Sequence, residues 1–526
     1  MDNFLLSVIF VEDGGEYMKK IALILSSGTN NRIKEICFDY PKCLLSVCGQ
    51  TLIRRLVNQF WDYVDEFYIA SGNNTTEIEQ EFPIIDKIHF LDFNGKQMHG
   101  SGETLKQSLI EIQNLEKKEY SLLILEGDLV ISDLAIKRFI ENKSPLKFIC
   151  VNKKINSHDD AIIRTHQGFR FTKERNDSWA MLGKYIGVTE ISFSIVNSML
   201  KDNDVPEQYA EWITNYTNRM FALVPAKDEE AMEIDTSEDY SAVLHNYNIK
   251  LTKDMFNPYM LHFNQGLQSF VGVYDVIGAK IACQMGLNGL YLGSYQISSA
   301  KGKKDDEDFS IKESFDIARD IRHAGIEMPM IIDGMSGYQN LDELKYISKQ
   351  ISDLKIGGIC VDDLADNHKC SMNEDFAPNL LSTDKYKNKL NKLRMYLPST
   401  CKIIARTEIL HITNNLDTIR HRLLEIDSMD ADILLPHYVK QDIHFLEETL
   451  DKISLKTPLM IIPSRLLNID KRHWKKLGYE YVIYANADLR LRTEKLEQLY
   501  EELTIHNSIS EKMLEPNNLS HMYDFG

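Results

Sequence analysis

The chain has no run of apolar residues long enough to cross a bilayer. The first, FLLSVIFV at 4–11, is short against the roughly 20 residues that a spanning helix needs; it has no basic residue before it and acidic ones after it. It therefore lacks the build of both a secretory signal and an anchor. Paired cysteines are missing too. Cys37, Cys43, Cys48, Cys150, Cys283, Cys360, Cys370 and Cys401 show no C-x-x-C spacing and no extracellular framework, which sets aside structural zinc and disulfides and points to reduced thiols in a cytoplasm. Positive charge is in deficit: 60 Lys and Arg face 78 Asp and Glu, a net charge of −18. Nucleic acid and anionic membrane surfaces are thereby excluded as partners, and small charged metabolites are favoured. What is present, 526 residues of which 43% are hydrophobic and 26% charged, suits a globular protein of two domains, since single cores stop growing at about 250–300 residues.

The pattern restarts at Met18, so residues 1–17 read as an extension or as an upstream start chosen in error. From there the order is strand KKIALIL, loop SSGTNNRIKE, turn FDYPKCLLSV, helix TLIRRLVNQFWDYV and strand EFYIAS. That alternation predicts an open α/β sheet. A glycine loop directly after a strand can offer backbone N–H groups to phosphates, with Arg32 and Lys42 as counter-charges; a plain strand-to-helix turn is the other reading. Further on, LLILEGDLVISD (122–133) is a buried strand ending at Asp128. EAMEIDTSEDYSAV then places Asp235 just before a helix capped by Thr236 or Ser237. Two carboxylates from different strand ends suit a Mg²⁺ that bridges phosphates.

In this order S-S-G-x-x-x-R, P-K-x-L, E-G-D and E-I-D-T-x-E-D resemble the sugar-phosphate and choline-phosphate nucleotidyltransferases, over residues 18–248. The resemblance implies a Rossmann-like mixed sheet, with Gly28 and Arg32 in the nucleotide loop, Lys42 as the P-K lysine, and Asp128 and Asp235 as metal aspartates. It also places Gly102, Glu103 and Thr104 of HGSGETLKQSL where base and sugar are recognised. Asn30 and Asn31 stand where that family has a second glycine and a Ser or Thr. Trp179 and Tyr185 are either core aromatics or a cage for a trimethylammonium head group. Lys173, Arg175 and Lys184 are candidates for an acceptor phosphate or phosphonate, or face solvent.

Residues 241–263 carry little regular pattern and contain Pro258, which puts a boundary near 250–262. Apolar runs then recur at 269–275, 289–294, 328–333, 357–363, 401–406, 431–436, 459–463 and 481–486. Eight strands separated by helical patterns predict a (β/α)₈ TIM barrel. The expected layout is an extension (1–17), a nucleotidyltransferase domain (18–250), a linker (251–263) and the barrel with a C-terminal helix (264–526).

The most distinctive unit of the barrel is IIDGMSGYQN followed by GICVDDLADNHKCS, with acidic residues at two successive strand ends, Asp333 and then Asp362 and Asp363. It resembles the phosphoenolpyruvate mutase and isocitrate lyase superfamily, in which strand 3 ends in D-x-D-x-G-Y-G-N and strand 4 in E-D-K-x5-N-S. The resemblance implies Ser294 as the substrate serine, Asp306 as a loop aspartate near the metal, and Asp333 as the direct metal ligand. It puts Asp362 at the family glutamate, Arg406 on substrate carboxylate or phosphate, and His437 at the family histidine, with Ser464 and Asn486 on the last strand ends. His368, Lys369 and Ser371 fall in the gating loop. Three positions depart from the pattern: Met335 replaces the second aspartate, His368 the loop lysine, and Cys370 the asparagine before Ser371.

Together the two resemblances imply a bifunctional phosphonate-pathway enzyme with Mg²⁺ in both domains. The first half transfers CMP from CTP to a phosphonate or phosphate such as 2-aminoethylphosphonate, while the barrel interconverts phosphoenolpyruvate and phosphonopyruvate, feeding the decoration of a surface glycan. The alternative keeps a nucleotidyltransferase for phosphocholine or a sugar phosphate, with a repurposed or inactive barrel that binds a small carboxylate or phosphonate. Barrels of the superfamily it resembles commonly exchange their last helix between subunits, so the resemblance allows, without requiring, a homo-oligomer through RTEKLEQLYEELTIHNSIS (492–510), which reads as a helix.

Overall fold

A computed structural model describes residues 18–506 except 27–32, 34–35, 37–40, 73–74, 83–84, 94–99, 152–160, 166–167, 173–179, 217–220, 246–258, 262–266, 306–308, 339, 366–375 and 377. The first half is a nine-stranded mixed sheet. Its strands are β1 (Lys19–Leu25), β2 (Glu66–Ser71), β3 (Ile88–Asp92), β4 (Tyr120–Glu126), β5 (Leu146–Val151), β6 (Ala161–Thr165), β7 (Gly168–Thr172), β8 (Ala180–Ile191) and β9 (Ala222–Ala226). They run in the order β7-β6-β8-β4-β1-β2-β3, with β5 paired to β8 and β9. The strand β1 lies parallel to both β2 and β4, and as a central strand covered on both faces it reads almost continuously apolar.

Helix Leu52–Phe60 buries Ile53, Leu56, Val57 and Phe60 on one face of the sheet. That i, i+3, i+4, i+7 spacing makes an apolar stripe, and Thr51 caps its start by accepting from the Arg54 N–H at 3.4 Å. Helix Gly100–Leu115 covers the other face with Leu105, Leu109 and Ile112. Its first turn lies against the chain at 205–207: the Gly102 N–H donates to Glu207 O at 2.9 Å, and a Cβ at Gly102 would sit 1.9 Å from the Pro206 carbonyl oxygen. Because that obstacle is backbone, Gly102→Ala is expected to destabilise the first half by about 1–3 kcal/mol, as overpacking does. An unchanged denaturant midpoint in that variant would show that the helix shifts freely.

The second half is a closed barrel of eight parallel strands in chain order. They are β10 (Gln268–Gly272), β11 (Gly289–Leu292), β12 (Met330–Asp333), β13 (Gly358–Asp362), β14 (Lys402–Thr407), β15 (Ile433–Pro436), β16 (Leu459–Ile461) and β17 (Tyr479–Tyr484). Each overlaps the run expected for it, within one to three residues at either end. The barrel interior is filled by Phe270, Tyr291, Ile331, Cys360, Ile404, Leu435 and their neighbours. Alternate residues such as Ile332, Ile359, Ile403 and Ala405 face the surrounding helices instead.

The two-residue period of a strand then decides which rim residues point inward. Asp333, Asp362, Arg406 and His437 each lie two positions beyond an interior residue. Asp363 and Thr407 have the opposite parity. The final helix spans Ala487–His506, starting earlier than the expected 492, and has no buried residue. Among the described residues no helix is long and apolar enough to cross a membrane.

Candidate functional site

In the first half, a site forms where three distant segments meet. Lys42 begins a single 3-10 turn, Lys42–Leu44. Asp128 sits between β4 and the short strand Leu129–Ile131, which pairs with Ala231–Glu233 and so brings the following Asp235 alongside. Thr236 caps the next helix through a capping box with Asp239, which fixes the backbone on the far side of Asp235. The Lys42 ammonium bonds Asp128 Oδ2, donates to Asp235 Oδ1 at 3.0 Å and to the Ile234 carbonyl at 3.1 Å. Burial works against its charge, but the two carboxylates outweigh that and hold the ammonium above its ordinary pKa.

The other Asp128 oxygen, Oδ1, is buried and meets no hydrogen-bond donor among the described residues. An acceptor-only atom left without a donor beside a second carboxylate suits a hard cation with oxygen ligands, so the residues present fit Mg²⁺. Behind them Lys184 pairs with Glu233 at 2.8 Å. Burial, opposed by Lys184 and reinforced by Asp128, pushes Glu233 up to about 7. Glu233 escaped the sequence reading although it lies two residues before Asp235.

Other expected residues of this half belong to the helix Gly100–Leu115 and to β8. Thr104 is buried and its hydroxyl donates back to Gly100 O at 3.2 Å; Glu103 lies in the first turn of the same helix. Of the two readings of Tyr185 the core aromatic holds and the cage does not: the residue is 1% exposed, and its hydroxyl is bonded to Thr189 at 2.6 Å and Tyr209 at 2.8 Å. A core tyrosine with both neighbours satisfied cannot close on a head group. Gly28, Arg32, Lys173, Arg175 and Trp179 lie outside the described residues, as do Asp306, His368, Lys369, Cys370 and Ser371 of the barrel.

At the C-terminal rim of the barrel, Asp333 is the centre of a buried polar cluster. Its Oδ2 accepts from Tyr291 at 3.0 Å and Ser294 at 3.3 Å, and lies 3.9 Å from Arg406 Nη1. Its Oδ1 accepts from the Met335 N–H at 2.9 Å, where the backbone turns through φ 50°. Asp362 accepts from the Leu364 N–H at 3.1 Å and is 1% exposed. Asp333 and Asp362 stand at the ends of the paired strands β12 and β13 and offer carboxylate oxygens, the ligand type that Mg²⁺ takes while keeping waters. Asp363 is not part of this set. It faces outward, accepting from Thr407 at 2.7 Å, the Glu408 N–H at 3.0 Å and Arg422 at 2.9 Å, and thus ties β14 to the helix layer.

Arg406 donates from Nε to Glu408 Oε1 at 2.5 Å, and its Nη2 lies 3.0 Å from His437 Nδ1. Burial opposes the Glu408 carboxylate, yet Arg406 and His437 more than offset it and hold Glu408 well below the usual range. Burial and Arg406 together, against Glu408, push His437 down to about 4, so the imidazole is neutral at pH 7. Neither Glu408 nor His411 was singled out from the sequence. The available signal was parity: Glu408 is two residues past Arg406 and shares its inward side. Ser464 and Asn486 lie just beyond β16 and β17, and β16 is the neighbour of β15, which carries His437.

Comparison with known proteins divides the chain in the same way. A phosphoenolpyruvate phosphomutase of Tetrahymena pyriformis is 20% identical over 249 residues, 46% of this chain and 83% of that protein. The crystal structure of phosphoenolpyruvate phosphomutase from Streptomyces platensis subsp. rosaceus has 20% identity and a TM-score of 0.46, covering 49% of this chain and 90% of that one. A weaker and partial likeness, 25% identity over 112 residues, is to the bifunctional protein GlmU of Methanococcus maripaludis, covering 21% of this chain and 25% of that protein. Residues 259–504, close to the whole second half, match the family model described as phosphoenolpyruvate phosphomutase.

Proposed function

We propose that the chain is a bifunctional phosphonate-pathway enzyme. The observation that carries the first activity is the Lys42 ammonium lodged between Asp128 and Asp235, brought together from segments 86 and 193 residues apart. An oxygen of a phosphonate or phosphate acceptor such as 2-aminoethylphosphonate attacks the α-phosphorus of CTP, and pyrophosphate leaves with the electron pair. Lys42 is placed to balance charge that moves onto phosphate oxygens during this exchange. In the barrel, phosphorus passes between the enol oxygen of phosphoenolpyruvate and its C3 to give phosphonopyruvate. By the same resemblance Arg406, whose side chain is 7% exposed, is the guanidinium for the carboxylate or phosphoryl group. Mg²⁺ held by Asp128 and Asp235 in one half, and by Asp333 and Asp362 in the other, would supply neutralisation of phosphate and enolate oxygens. The product serves surface-glycan decoration, by the same resemblance.

Phosphorus NMR of the purified protein with CTP, Mg²⁺ and either 2-aminoethylphosphonate or phosphocholine tests the first activity. Cytidylylated product and pyrophosphate are expected, with CTP preferred over UTP, ATP and GTP. Preference for UTP or GTP with a sugar phosphate would make this half a sugar-nucleotide synthase instead. Phosphonopyruvate supplied alone is expected to yield phosphoenolpyruvate.

A second reading, a barrel that binds the anion without turning it over, is favoured by Met335, which stands where the family pattern has its second aspartate. Met335→Asp tests it. Aspartate tolerates the left-handed backbone there, and an added carboxylate beside Asp333 is expected to tighten Mg²⁺ about tenfold by calorimetry, the scale of outer-ligand effects. Unchanged affinity would show that position 335 does not address the metal.

A further inference from the structure

The rim of the barrel carries a second group of donors that the oxygen set around Asp333 does not use. Glu408 follows β14, His411 lies on the single turn Ile409–Ile412, and His437 follows β15. One donor atom from each, a carboxylate oxygen and two imidazole nitrogens, all lie within 4.8 Å of one another. The three side chains are at least nine-tenths buried, at 0%, 10% and 4% exposure in that order.

Two contacts in this group are unresolved as hydrogen bonds. His411 Nε2 lies 3.1 Å from Glu408 Oε2, yet it is buried and has no aligned hydrogen-bond partner among the described residues. His437 Nδ1 faces the Arg406 Nη2 donor at 3.0 Å and both Glu408 oxygens at 3.0 and 2.9 Å. One ring nitrogen cannot accept from the guanidinium and donate to the carboxylate at the same time. Each arrangement of protons therefore leaves one close contact without its proton.

We infer that Glu408, His411 and His437 form a site for a borderline divalent cation of the Zn²⁺ or Co²⁺ kind, distinct from the oxygen-lined position at Asp333. Two imidazoles and one carboxylate are the donor set of open zinc sites, whereas Mg²⁺ prefers oxygen alone. Such an ion takes the lone pairs of His411 Nε2 and His437 Nδ1 directly and needs no proton on either. Arg406 is its competitor, because the guanidinium already holds Glu408 Oε1. The ion and Arg406 thus share one carboxylate, and weakening either strengthens the other's hold.

The test is Zn²⁺ calorimetry on the full chain in excess Mg²⁺, which fills the oxygen-only positions, together with the visible absorption of bound Co²⁺. Wild type is expected to bind one Zn²⁺ that Mg²⁺ does not displace. His411→Gln removes one of the three ligands, is expected to weaken it by more than the roughly hundredfold that loss of an outer-shell partner can cost, and is expected to change the Co²⁺ spectrum. Asp333→Asn is expected to leave it nearly unchanged, and Arg406→Gln to tighten it. Zn²⁺ affinity that survives His411→Gln, or that falls only in Asp333→Asn, overturns the inference. If His411→Gln melts below the metal-free wild type, His437→Gln carries the same comparison with the same two outcomes.

Discussion

Asp128→Ala is expected to lower CTP-dependent pyrophosphate release by about three orders of magnitude or more, the scale on which removal of a preorganised electrostatic group acts. Asp128 lies in a turn, so the sheet does not depend on its side chain. Its Oδ2 is one of two carboxylate oxygens around the Lys42 ammonium, and its Oδ1 accepts no donor among the described residues. The substitution removes both oxygens from the place where a hard cation would sit, and leaves Lys42 with Asp235 alone. Unaltered circular dichroism is expected alongside the loss, which separates chemistry from folding. Pyrophosphate release at the wild-type rate would remove Asp128 from the site and with it the assignment of the first half.

The second large effect is expected from Arg406→Met. Glu408 has a fully buried side chain, and breaking a buried pair by deleting one member costs about 3–5 kcal/mol, because the remaining charge is left without its partner. The denaturation midpoint of the barrel should fall accordingly. In the same variant, the Mg²⁺-dependent heat of binding oxalate or phosphonopyruvate should vanish, as it should in Asp333→Ala. The two variants differ in stability. Asp333 is held mainly by neutral donors, Tyr291, Ser294 and the Met335 amide, so its loss strands no buried charge comparable to Glu408. Equal midpoints for both variants would mean that His411 and His437 neutralise Glu408 unaided.

Local pattern carried far in this chain because most of its strands are buried on both sides. Lys19–Leu25 and Glu66–Ser71 are strands over the same residues that the sequence delimits, and the eight apolar runs of the second half all became barrel strands. Where a side chain's direction is set by the strand period, the sequence also orders the rim. Asp333, Asp362, Arg406 and His437 share the inward side with Ile331, Cys360, Ile404 and Leu435. The adjacent pair Asp362 and Asp363 is ambiguous as text. The pleat resolves it, turning one carboxylate inward and giving the other to Thr407 and Arg422.

What the sequence by itself determined is therefore the succession of elements, the closed barrel, and the strand ends on which carboxylates, arginine and histidine stand. Only the tertiary structure decided which of these groups meet. The encounter of Lys42 with Asp128 and Asp235 depends on the pairing of Leu129–Ile131 with Ala231–Glu233, a contact across the whole first half that no local period encodes. Tyr185 reads as a core ring or as part of a head-group cage, and the core reading is settled only when β8 is placed inside the sheet with Tyr209 against it. Glu408 and His411 look like ordinary rim residues until β14 and β15 lie side by side and bring His437 to them. Periodicity fixes direction along one strand, whereas convergence is a property of neighbouring strands and becomes visible only when their register is known.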